Sequence, residues 1–368
     1  MIKDITWLIV SKKVLKEPKT GGQIYSSNVF SYLHEKNINI HIKTLEDIKT
    51  NNYFIANFFF IKNLIIKKQL QKIVYEDFYM HPWLFIFNWI LRFFTRKRII
   101  IFVQLFYHDI QKNKILNLID KIISSVFLRS AHVVIANSQT VANECMKLGV
   151  KQKIEIVYPG CDFANEIVPQ KSNSLSDVKI LAISNYIPRK GFHYLISAIA
   201  LIKTKYPDCY EKLSVQIAGD PNDRPDYTTS LKVLICNNNL EDKVKLLGWK
   251  SRNEIRELFL SSEIFVFTGI HEGYGMVLAE AMHYGLPIVA YKSGAVPELV
   301  ENMHNGLLVA PKDLEGLALA IVRLVNDSKL RISMGQNSKN RSARFVHSWD
   351  AVGLAFYKII TESREITA

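Results

Sequence analysis

The fold prediction for this chain starts from His271-Glu272-Gly273-Tyr274-Gly275-Met276-Val277-Leu278-Ala279-Glu280-Ala281-Met282. Glu272 and Glu280 flank a Gly-x-Gly turn that follows the apolar run 264–267 and leads into a helical pattern ending at Gly285-Leu286-Pro287. Strand, glycine turn and helix in this order direct backbone N–H groups and a helix N-terminus toward an anion. The stretch therefore predicts a phosphate site whose flanking carboxylates accept hydrogen bonds from hydroxyls, and a nucleotide sugar supplies both groups.

The second half of the chain alternates strand and helix patterns around this segment. Strands are predicted at 178–183, 213–218, 244–247, 264–267 and 288–290, and helices between them include 194–202 and 252–260. Such alternation predicts a parallel sheet with right-handed crossovers, in which ligands bind beyond the carboxyl ends of the strands.

The first half follows the same alternation less regularly. It predicts strands at 5–10, 38–42, 98–106, 133–137 and 154–158, a loop at Gly21-Gly22 and a helix at 24–33. The Ser- and Asn-rich stretch 169–177 is the predicted linker. Two packed α/β domains with a cleft between them is therefore the expected architecture.

A basic turn, Asn185-Tyr186-Ile187-Pro188-Arg189-Lys190-Gly191, lies between a predicted strand and a predicted helix. Arg189 offers a planar fork to phosphate oxygens, and Lys190 offers a compact charge. The alternative is a solvated basic turn, since exposed charges are common on protein surfaces. Its place in the same domain as the glutamate pair favours a diphosphate site.

The two glutamates also have a structural alternative. Glu272 precedes the predicted helix and could cap it, because a carboxylate is favourable at the positive end of the helix dipole. Glu280 lies inside the apolar part of that helix, where a carboxylate needs a partner. We expect the ribose hydroxyls of a ligand to be that partner.

Metal-binding motifs are absent from the sequence. There is no Asp-x-Asp, Asp220-Pro221-Asn222-Asp223 is typical of a turn, and no His/Cys set has ligand spacing. The sequence thus predicts no metal and no cofactor, with phosphate charge met by Arg189, Lys190 and backbone amides.

The composition limits the class of protein to which this chain can belong. The 368 residues, 48% hydrophobic and 22% charged, predict two folded domains rather than a disordered chain. Four cysteines without ligand spacing predict reduced thiols, and neither a signal peptide nor an apolar run of about 18 residues is evident. We expect a cytoplasmic protein, soluble or peripheral on the inner face of the membrane.

The net charge of +13 is uneven, because residues 1–170 hold 23 Lys+Arg against 13 Asp+Glu. A basic half indicates an anionic partner, and no nucleic-acid-binding motif accompanies it. An anionic membrane surface is the favoured partner, and nucleic acid is not expected.

The segment 82–98 is the expected membrane contact. Read as a helix from Pro82, it places Asn88, Arg92, Thr95 and Arg96 on one stripe and leaves a wide aromatic face. One interpretation is an interfacial helix with Arg96-Lys97-Arg98 on anionic headgroups. The other is a helix buried by neighbouring elements.

From Asn185 onward the chain resembles the donor domain of family 4 glycosyltransferases of the GT-B fold. The matching pieces, in order, are Lys190-Gly191, Ala218-Gly219-Asp220, Leu247-Gly248-Trp249, the Glu272 and Glu280 pair, Gly285 to Ala290, Gly294 to Val300 and Asn305 to Val309. The resemblance implies two Rossmann-like domains, with acceptor binding in 1–168, donor binding in 169–345 and a last helix in 346–368 that returns to the first domain.

The family transfers a hexosyl group from a nucleotide diphosphate sugar with retention and without metal. The resemblance implies that Glu280 holds the ribose, Glu272 lies against the hexose, and Arg189 and Lys190 stabilise the leaving diphosphate. It also implies donor contacts from the following residues: Gly21, Gly22, Asn185, Trp249, Lys250, Gly273, Tyr274, Gly275, Met276 and Val277. A UDP-sugar is the favoured donor and a lipid-linked or cell-envelope hydroxyl the favoured acceptor.

The chain departs from the family pattern at three places. Arg189 adjoins Lys190 where the family has an earlier Arg, Thr268-Gly269 replaces the usual Pro-Ser, and the usual His is missing after the strand ending at Val103. Gln104 or His108 takes that last position. A Gln suffices if the leaving phosphate itself accepts the acceptor proton, whereas a His is the commonest general base.

Two other functions stay open at this point, and the sequence argues against a third. An inactive nucleotide-binding scaffold would share the donor site, and a transferase with a soluble small-molecule acceptor would differ only in the first domain. A Rossmann dehydrogenase would need G-x-G-x-x-G after the first strand, which residues 11–22 lack.

Overall fold

A computed structural model describes residues 4–9, 18, 20–44, 72–75, 88–89, 92–93, 98–106, 114–169 and 177–362. The chain forms two compact units. Unit 1 comprises residues 1–160 and 347–368, and unit 2 comprises residues 161–346.

Unit 1 is built on a parallel sheet. Its strands are β1 (Asp4–Ile9), β2 (Asn39–Thr44), β3 (Lys72–Tyr75), β4 (Arg98–Val103), β5 (Val133–Ala136) and β6 (Lys153–Ile156). Its first helices are α1 (Gly21–Glu35), α2 (Lys114–Arg129) and α3 (Gln139–Lys147). The strand order β2-β1-β3-β4-β5-β6 reverses direction beside β1, as in doubly wound folds. Because β4 and β5 are buried along nearly their whole length, helices or loops cover both faces of the sheet centre.

Unit 2 repeats this plan. Its strands are β7 (Val178–Ile183), β8 (Leu213–Ala218), β9 (Val244–Gly248), β10 (Ile264–Phe267), β11 (Ile288–Tyr291) and β12 (Gly306–Val309). Its helices are α4 (Phe192–Lys205), α5 (Pro207–Glu211), α6 (Pro225–Asn237), α7 (Arg252–Ser261), α8 (Met276–His283), α9 (Val296–Leu299), α10 (Leu314–Asn326) and α11 (Ser328–Ser342). The sheet is parallel, with order β12-β11-β10-β7-β8-β9. Its direction reverses between β7 and β10.

The last helix, α12 (Trp349–Thr361), belongs to unit 1 and packs on α1. Its inner face joins the core formed by β1, α1 and β4, through Val352, Phe356, Ile359 and Ile360. Phe356 contacts the rings of Trp7, Tyr25 and Phe102. Gly353 permits the close approach, because a Cβ there would lie 2.2 Å from Cγ of Tyr32.

The predicted α/β class with two parallel sheets is confirmed, and the predicted strands 178–183, 213–218 and 264–267 match β7, β8 and β10. Apolar runs bounded by glycine or proline make these strands recognisable. Within the described residues, the cysteines are free thiols, with Cys236 exposed and the others buried.

The predicted loop at Gly21-Gly22 is wrong, because both glycines are helical and form the start of α1. Thr20 is the N-cap: its hydroxyl accepts from the Gln23 N–H, and the Gln23 side chain accepts from the Thr20 N–H. This reciprocal capping box compensates for the poor helix propensity of two glycines.

The predicted headgroup role of Arg98 is also wrong. Arg98 begins β4, and its guanidinium donates to the carbonyl oxygens of Glu362 (2.6 Å) and Ile359 (3.4 Å) at the end of α12. Arg92 similarly donates to the carbonyl of Ala131 at 2.6 Å, just beyond α2. Positive charge at a helix C-terminus satisfies its unpaired carbonyls. Arg96 and Lys97 lie outside the described residues, as does most of 82–98.

We expect Gly353→Ala to destabilise the protein by about 1–3 kcal/mol, since the new methyl group overlaps the Tyr32 side chain. Helix propensity alone predicts the opposite sign, a gain of about 1 kcal/mol. Urea unfolding measures the difference, with Leu354→Ala on the exposed face of α12 as the control. A stabilised Gly353→Ala variant would show that α12 does not pack closely on α1.

Candidate active site

The candidate site lies where unit 2 changes strand direction. Neighbouring strands β7 and β10 are followed by the 3-10 turn Pro188–Lys190 and by the loop that contains Glu272. In parallel sheets the carboxyl ends at such a reversal form a crevice, because the following helices diverge to opposite faces. The fold therefore brings the basic turn and the first glutamate together.

Backbone contacts lock the basic turn onto the end of β10. The Ile270 N–H donates to the Arg189 carbonyl at 2.9 Å, and the Thr268 hydroxyl donates to the Lys190 carbonyl at 3.0 Å. Gly191 has φ +71°, and a Cβ there would lie 2.3 Å from the Thr268 carbonyl oxygen. Thr268, in place of the usual Pro-Ser, thus helps to fix the turn.

An ion pair joins the two elements. Lys190 Nζ lies 2.6 Å from Glu272 Oε2, and Arg189 Nη1 lies 3.7 Å from the same oxygen. The Lys190 and Glu272 side chains are only 14% and 15% exposed. Arg189 also donates to the His271 carbonyl at 2.7 Å. Two cations and one carboxylate therefore leave local positive charge at the strand ends.

The pKa values follow from this arrangement. Burial raises the pKa of the Glu272 carboxyl, but Lys190 and Arg189 lower it by more, so it stays below its ordinary value. Burial lowers the pKa of the Lys190 ammonium, and the Glu272 carboxylate opposes that shift. Glu272 is therefore ionised at neutral pH and supports the charge of Lys190.

The loop after β11 holds Glu272 in place. The Ala295 N–H donates to the Glu272 carbonyl at 2.8 Å, and the Ser293 hydroxyl accepts from the His271 N–H at 2.8 Å. Gly294 has φ +53°, and a Cβ there would lie 2.2 Å from the Glu272 carbonyl oxygen. His271 itself has φ +62°, a conformation uncommon for a residue with a side chain. Gly294 thus allows the two loops to meet.

Glu280 lies in α8, half-buried, and its carboxylate makes no side-chain hydrogen bond or ion pair with any described residue. Burial raises its pKa to about 7, and the nearby Arg252 opposes the shift only in part. A carboxylate kept at such a pKa readily accepts hydrogen bonds from a ligand, because these relieve its loss of hydration.

Arg252, the first residue of α7, is a site residue that the sequence analysis missed. It pairs with Asp162, and its guanidinium lies 4.6 Å from the centroid of the Phe163 ring. It also acts electrostatically on Glu280 and Cys161. Nothing in the sequence signals this, because Asp162 and Arg252 meet only through the tertiary fold.

The glycine turn before α8 has the predicted form. Gly275 is left-handed, with φ +95°, and Met276 and Val277 form the first turn of the helix, where backbone N–H groups have no partner within the helix. The Tyr274 side chain is buried and donates to the Phe345 carbonyl at 2.8 Å. Gly273 and Tyr274 are both buried, so a ligand could contact them only through their backbone atoms.

Other predicted donor residues lie further along the strand ends. Asn185 donates to the Asp223 carboxylate, so it fixes the turn after β8. The predicted turn at Asp220 is confirmed, with the Asn222 N–H donating to the Asp220 carboxylate at 2.9 Å. Trp249 follows β9 and is 68% exposed, and Lys250 pairs with Glu254 at 2.9 Å.

In unit 1, Gln104 follows β4 and faces the start of α1. Its amide donates to the Ser26 hydroxyl at 3.2 Å and to the Gly22 carbonyl at 3.4 Å. A Cβ on Gly22 would lie 2.4 Å from Gln104 Oε1, so a larger residue there would displace the Gln104 amide. The fold thus brings Gln104 and Gly22 together, while His108 lies outside the described residues.

We expect Glu272→Gln to destabilise the protein by about 1–3 kcal/mol, because it leaves the mostly buried Lys190 charge uncompensated. Lys190→Met should cost less when combined with Glu272→Gln than it does alone. Urea unfolding of both single variants and the double variant measures this coupling. Strictly additive losses would show that the two side chains do not interact.

Two family models match the chain. The model described as Glycosyltransferase Family 4 matches residues 24–165, and the model described as Glycosyl transferases group 1 matches residues 164–341. Together they span both units from α1 to α11.

Two curated relatives show the level of similarity. The lipopolysaccharide core biosynthesis glycosyltransferase LpsE of Rhizobium meliloti is 26% identical over 57% of this chain and 58% of its own length. The N-acetyl-alpha-D-glucosaminyl L-malate synthase of Bacillus anthracis is 26% identical over 64% of this chain and 62% of its own length. The chain therefore matches about three-fifths of the length of these relatives.

Solved structures agree in fold over nearly the whole chain. The sucrose-phosphate synthase of Thermosynechococcus elongatus is 18% identical with a TM-score of 0.75, covering 97% of this chain and 98% of that one. Anabaena HepE in complex with UDP and glucose is 19% identical with a TM-score of 0.71, covering 99% and 100%. The fold is GT-B, and with both family models matched, the chain belongs to the family 4 glycosyltransferases.

Proposed function

We propose that this protein is a retaining glycosyltransferase. It transfers a hexosyl group from a nucleotide diphosphate sugar, with a UDP-sugar favoured, to a hydroxyl of a lipid-linked or cell-envelope acceptor. The observation that carries the proposal is the partly buried cluster of Arg189, Lys190 and Glu272 at the strand reversal of unit 2.

Charge supports the assignment of the diphosphate. Arg189 and Lys190 share one carboxylate, so a net positive charge remains beside the N-terminus of α8. A bound diphosphate would balance the remaining positive charge of the site. The negative charge on the diphosphate increases as its bond to the sugar breaks. A cation placed beforehand stabilises that developing charge more than the ground state, which lowers the barrier.

Glu280 supports the assignment of the ribose. Its half-buried carboxylate forms no side-chain hydrogen bond with a described residue, and a ribose diol would supply two donors. Exposed Trp249 offers a flat apolar face for the base, at the end of β9. The crystal structure of HepE with UDP and glucose is consistent with a uridine donor.

Unit 1 is assigned to the acceptor. Gln104 follows β4, and its amide donates to the Gly22 carbonyl at the start of α1, so the end of β4 and the start of α1 lie together. In a retaining transfer the leaving diphosphate oxygen takes the acceptor proton, and Gln104 needs only to hold a hydroxyl. The name of LpsE favours a glycan acceptor, whereas the malate synthase name fits a soluble one.

Metal independence is part of the proposal. Two side-chain cations and the N–H groups of a helix N-terminus are available for the diphosphate, and the sequence has no Asp-x-Asp motif. A divalent cation would have to share the site with Lys190 and Arg189 and repel both.

Kinetics of two variants test the donor site. We expect Lys190→Ala to lower kcat by about a hundredfold with a much smaller change in donor affinity, because its charge matters most in the transition state. Glu280→Ala should weaken donor binding by about ten- to a hundredfold through lost ribose hydrogen bonds. Steady-state rates with a panel of nucleotide sugars give both values.

Exposed Lys232 on α6 is the matched control, and Lys232→Ala should leave the kinetics unchanged. Normal kinetics for Lys190→Ala and Glu280→Ala would refute the site. Loss of activity in EDTA, restored by Mg²⁺, would refute metal independence. Donor binding with neither transfer nor donor hydrolysis would indicate an inactive scaffold.

The Glu280 pKa of about 7 gives a pH prediction. Because the folded pKa exceeds the ordinary value, the native state holds its proton more tightly, and stability falls as pH rises from the ordinary value to about 7. Hydroxyl donors from ribose favour the ionised form, so donor binding near pH 6 should release close to one proton.

Calorimetry of UDP-glucose binding in two buffers of different ionisation enthalpy measures this proton release. Glu280→Gln should abolish it and flatten the pH dependence of stability, whereas Glu315→Gln, 70% exposed, should change neither. Unchanged proton release in Glu280→Gln would mean that the donor does not contact Glu280.

A further inference from the structure

We propose that helix α2 of unit 1 binds an anionic membrane surface through an outward-facing apolar stripe. The stripe consists of Ile115, Leu118, Ile119 and Ile122. This inference goes beyond the donor site and does not depend on it, because the stripe belongs to unit 1 and the donor residues to unit 2.

The stripe has helical geometry. Its positions are spaced i, i+3, i+4 and i+7, which places all four side chains on one face of α2. They are 70%, 60%, 44% and 56% exposed, respectively. The stripe is therefore a continuous apolar surface and not a single exposed side chain.

The opposite face of α2 already supplies its packing. Ser124, Phe127 and Leu128 are buried, and the last two join the core beneath β4 and β5. One apolar face is sufficient to dock a surface helix on a sheet. Among the described residues, the stripe is thus the exposed face of α2, while the opposite face packs on the sheet.

Exposed apolar side chains elsewhere differ in distribution. In unit 2, Val233, Leu319 and Ile332 are about as exposed, but each lies on a separate helix. Single exposed residues are ordinary, whereas a contiguous patch indicates an interaction surface.

Charge identifies the partner. Unit 1 holds 25 Lys+Arg against 14 Asp+Glu, a net charge of +11, whereas unit 2 holds 22 against 20, a net charge of +2. Nearly all the net positive charge of the sequence thus belongs to the unit that carries the stripe. Each basic residue near an anionic lipid surface adds about 1 kcal/mol of attraction.

The same charge argues against a second copy as the occupant. Two copies joined stripe to stripe would bring two strongly basic units together, and like charges repel. An anionic bilayer can bind both the apolar stripe and the positive charge. The stripe would lie at the boundary of the acyl chains, and lysines would contact the headgroups.

The helix would lie in the plane of the interface. α2 has 16 residues, and no helix among the described residues is long and apolar enough to span a bilayer. A helix with one outward apolar stripe and a packed opposite face binds at the level of the headgroups.

The sequence placed this contact in 82–98, whose described residues include the fully buried Asn88 and the capping Arg92. The exposed apolar surface of the described residues is instead concentrated on α2. The proposed membrane contact therefore moves to a helix that the sequence analysis did not single out.

Vesicle sedimentation tests the proposal on the full chain. Wild type should bind vesicles of phosphatidylcholine with phosphatidylglycerol, bind phosphatidylcholine alone at least about tenfold more weakly, and lose affinity as salt shortens the Debye length. Ile115→Ser combined with Ile119→Ser and Ile122→Ser should weaken binding by at least about tenfold.

The matched control combines Val233→Ser, Leu319→Ser and Ile332→Ser, which remove equally exposed side chains from unit 2 and should leave binding unchanged. Thermal unfolding checks that each variant folds, and Ile122→Asp alone is a milder second variant that should also lose binding. Wild-type affinity in both α2 variants would overturn the proposal. So would a wild-type dimer, measured by sedimentation velocity, that α2 substitution dissociates, or equal binding to neutral vesicles.

Discussion

The ion pair between Lys190 and Glu272 ties together the two halves of the unit 2 sheet. Lys190 comes from the turn after β7, and Glu272 comes from the loop after β10, so their 2.6 Å contact spans the strand reversal. The surrounding backbone contacts of Thr268, Ile270 and Gly191 hold both partners at this distance. Separating a mostly buried ion pair leaves a charge without its partner, which costs free energy. The pair therefore favours a single geometry of the site.

The same pair explains how the site can be charged and still stable without a ligand. Glu272 supports the Lys190 ammonium against burial, and Arg189 adds a second positive charge at 3.7 Å. A diphosphate would bind to cations that are already positioned, so little reorganisation is needed during reaction. Glu280 is the counterpart on α8, a carboxylate without a side-chain partner among the described residues.

Charge and apolar surface are divided between the two units. Unit 2 is nearly neutral and carries its charges in local pairs, whereas unit 1 carries most of the net positive charge and the apolar stripe of α2. This division fits a protein in which one unit recognises a soluble charged donor and the other meets an anionic surface. Both assignments are proposals that rest on where the charges lie.

The sequence by itself determined the parallel α/β class, most strands and the presence of a basic turn in the same domain as the two glutamates. Apolar runs bounded by glycine and proline are local signals, and a left-handed Gly275 before a helix is one as well. It could not determine that Arg252 approaches Glu280, that Asn185 binds Asp223, or that Arg98 caps α12, because these contacts join residues distant in the chain. It also misjudged Gly21-Gly22 as a loop, since a capping box at Thr20 outweighed glycine propensity.

Only the tertiary structure decided which face of α2 is packed and which is exposed, because both faces are apolar and periodicity cannot distinguish them.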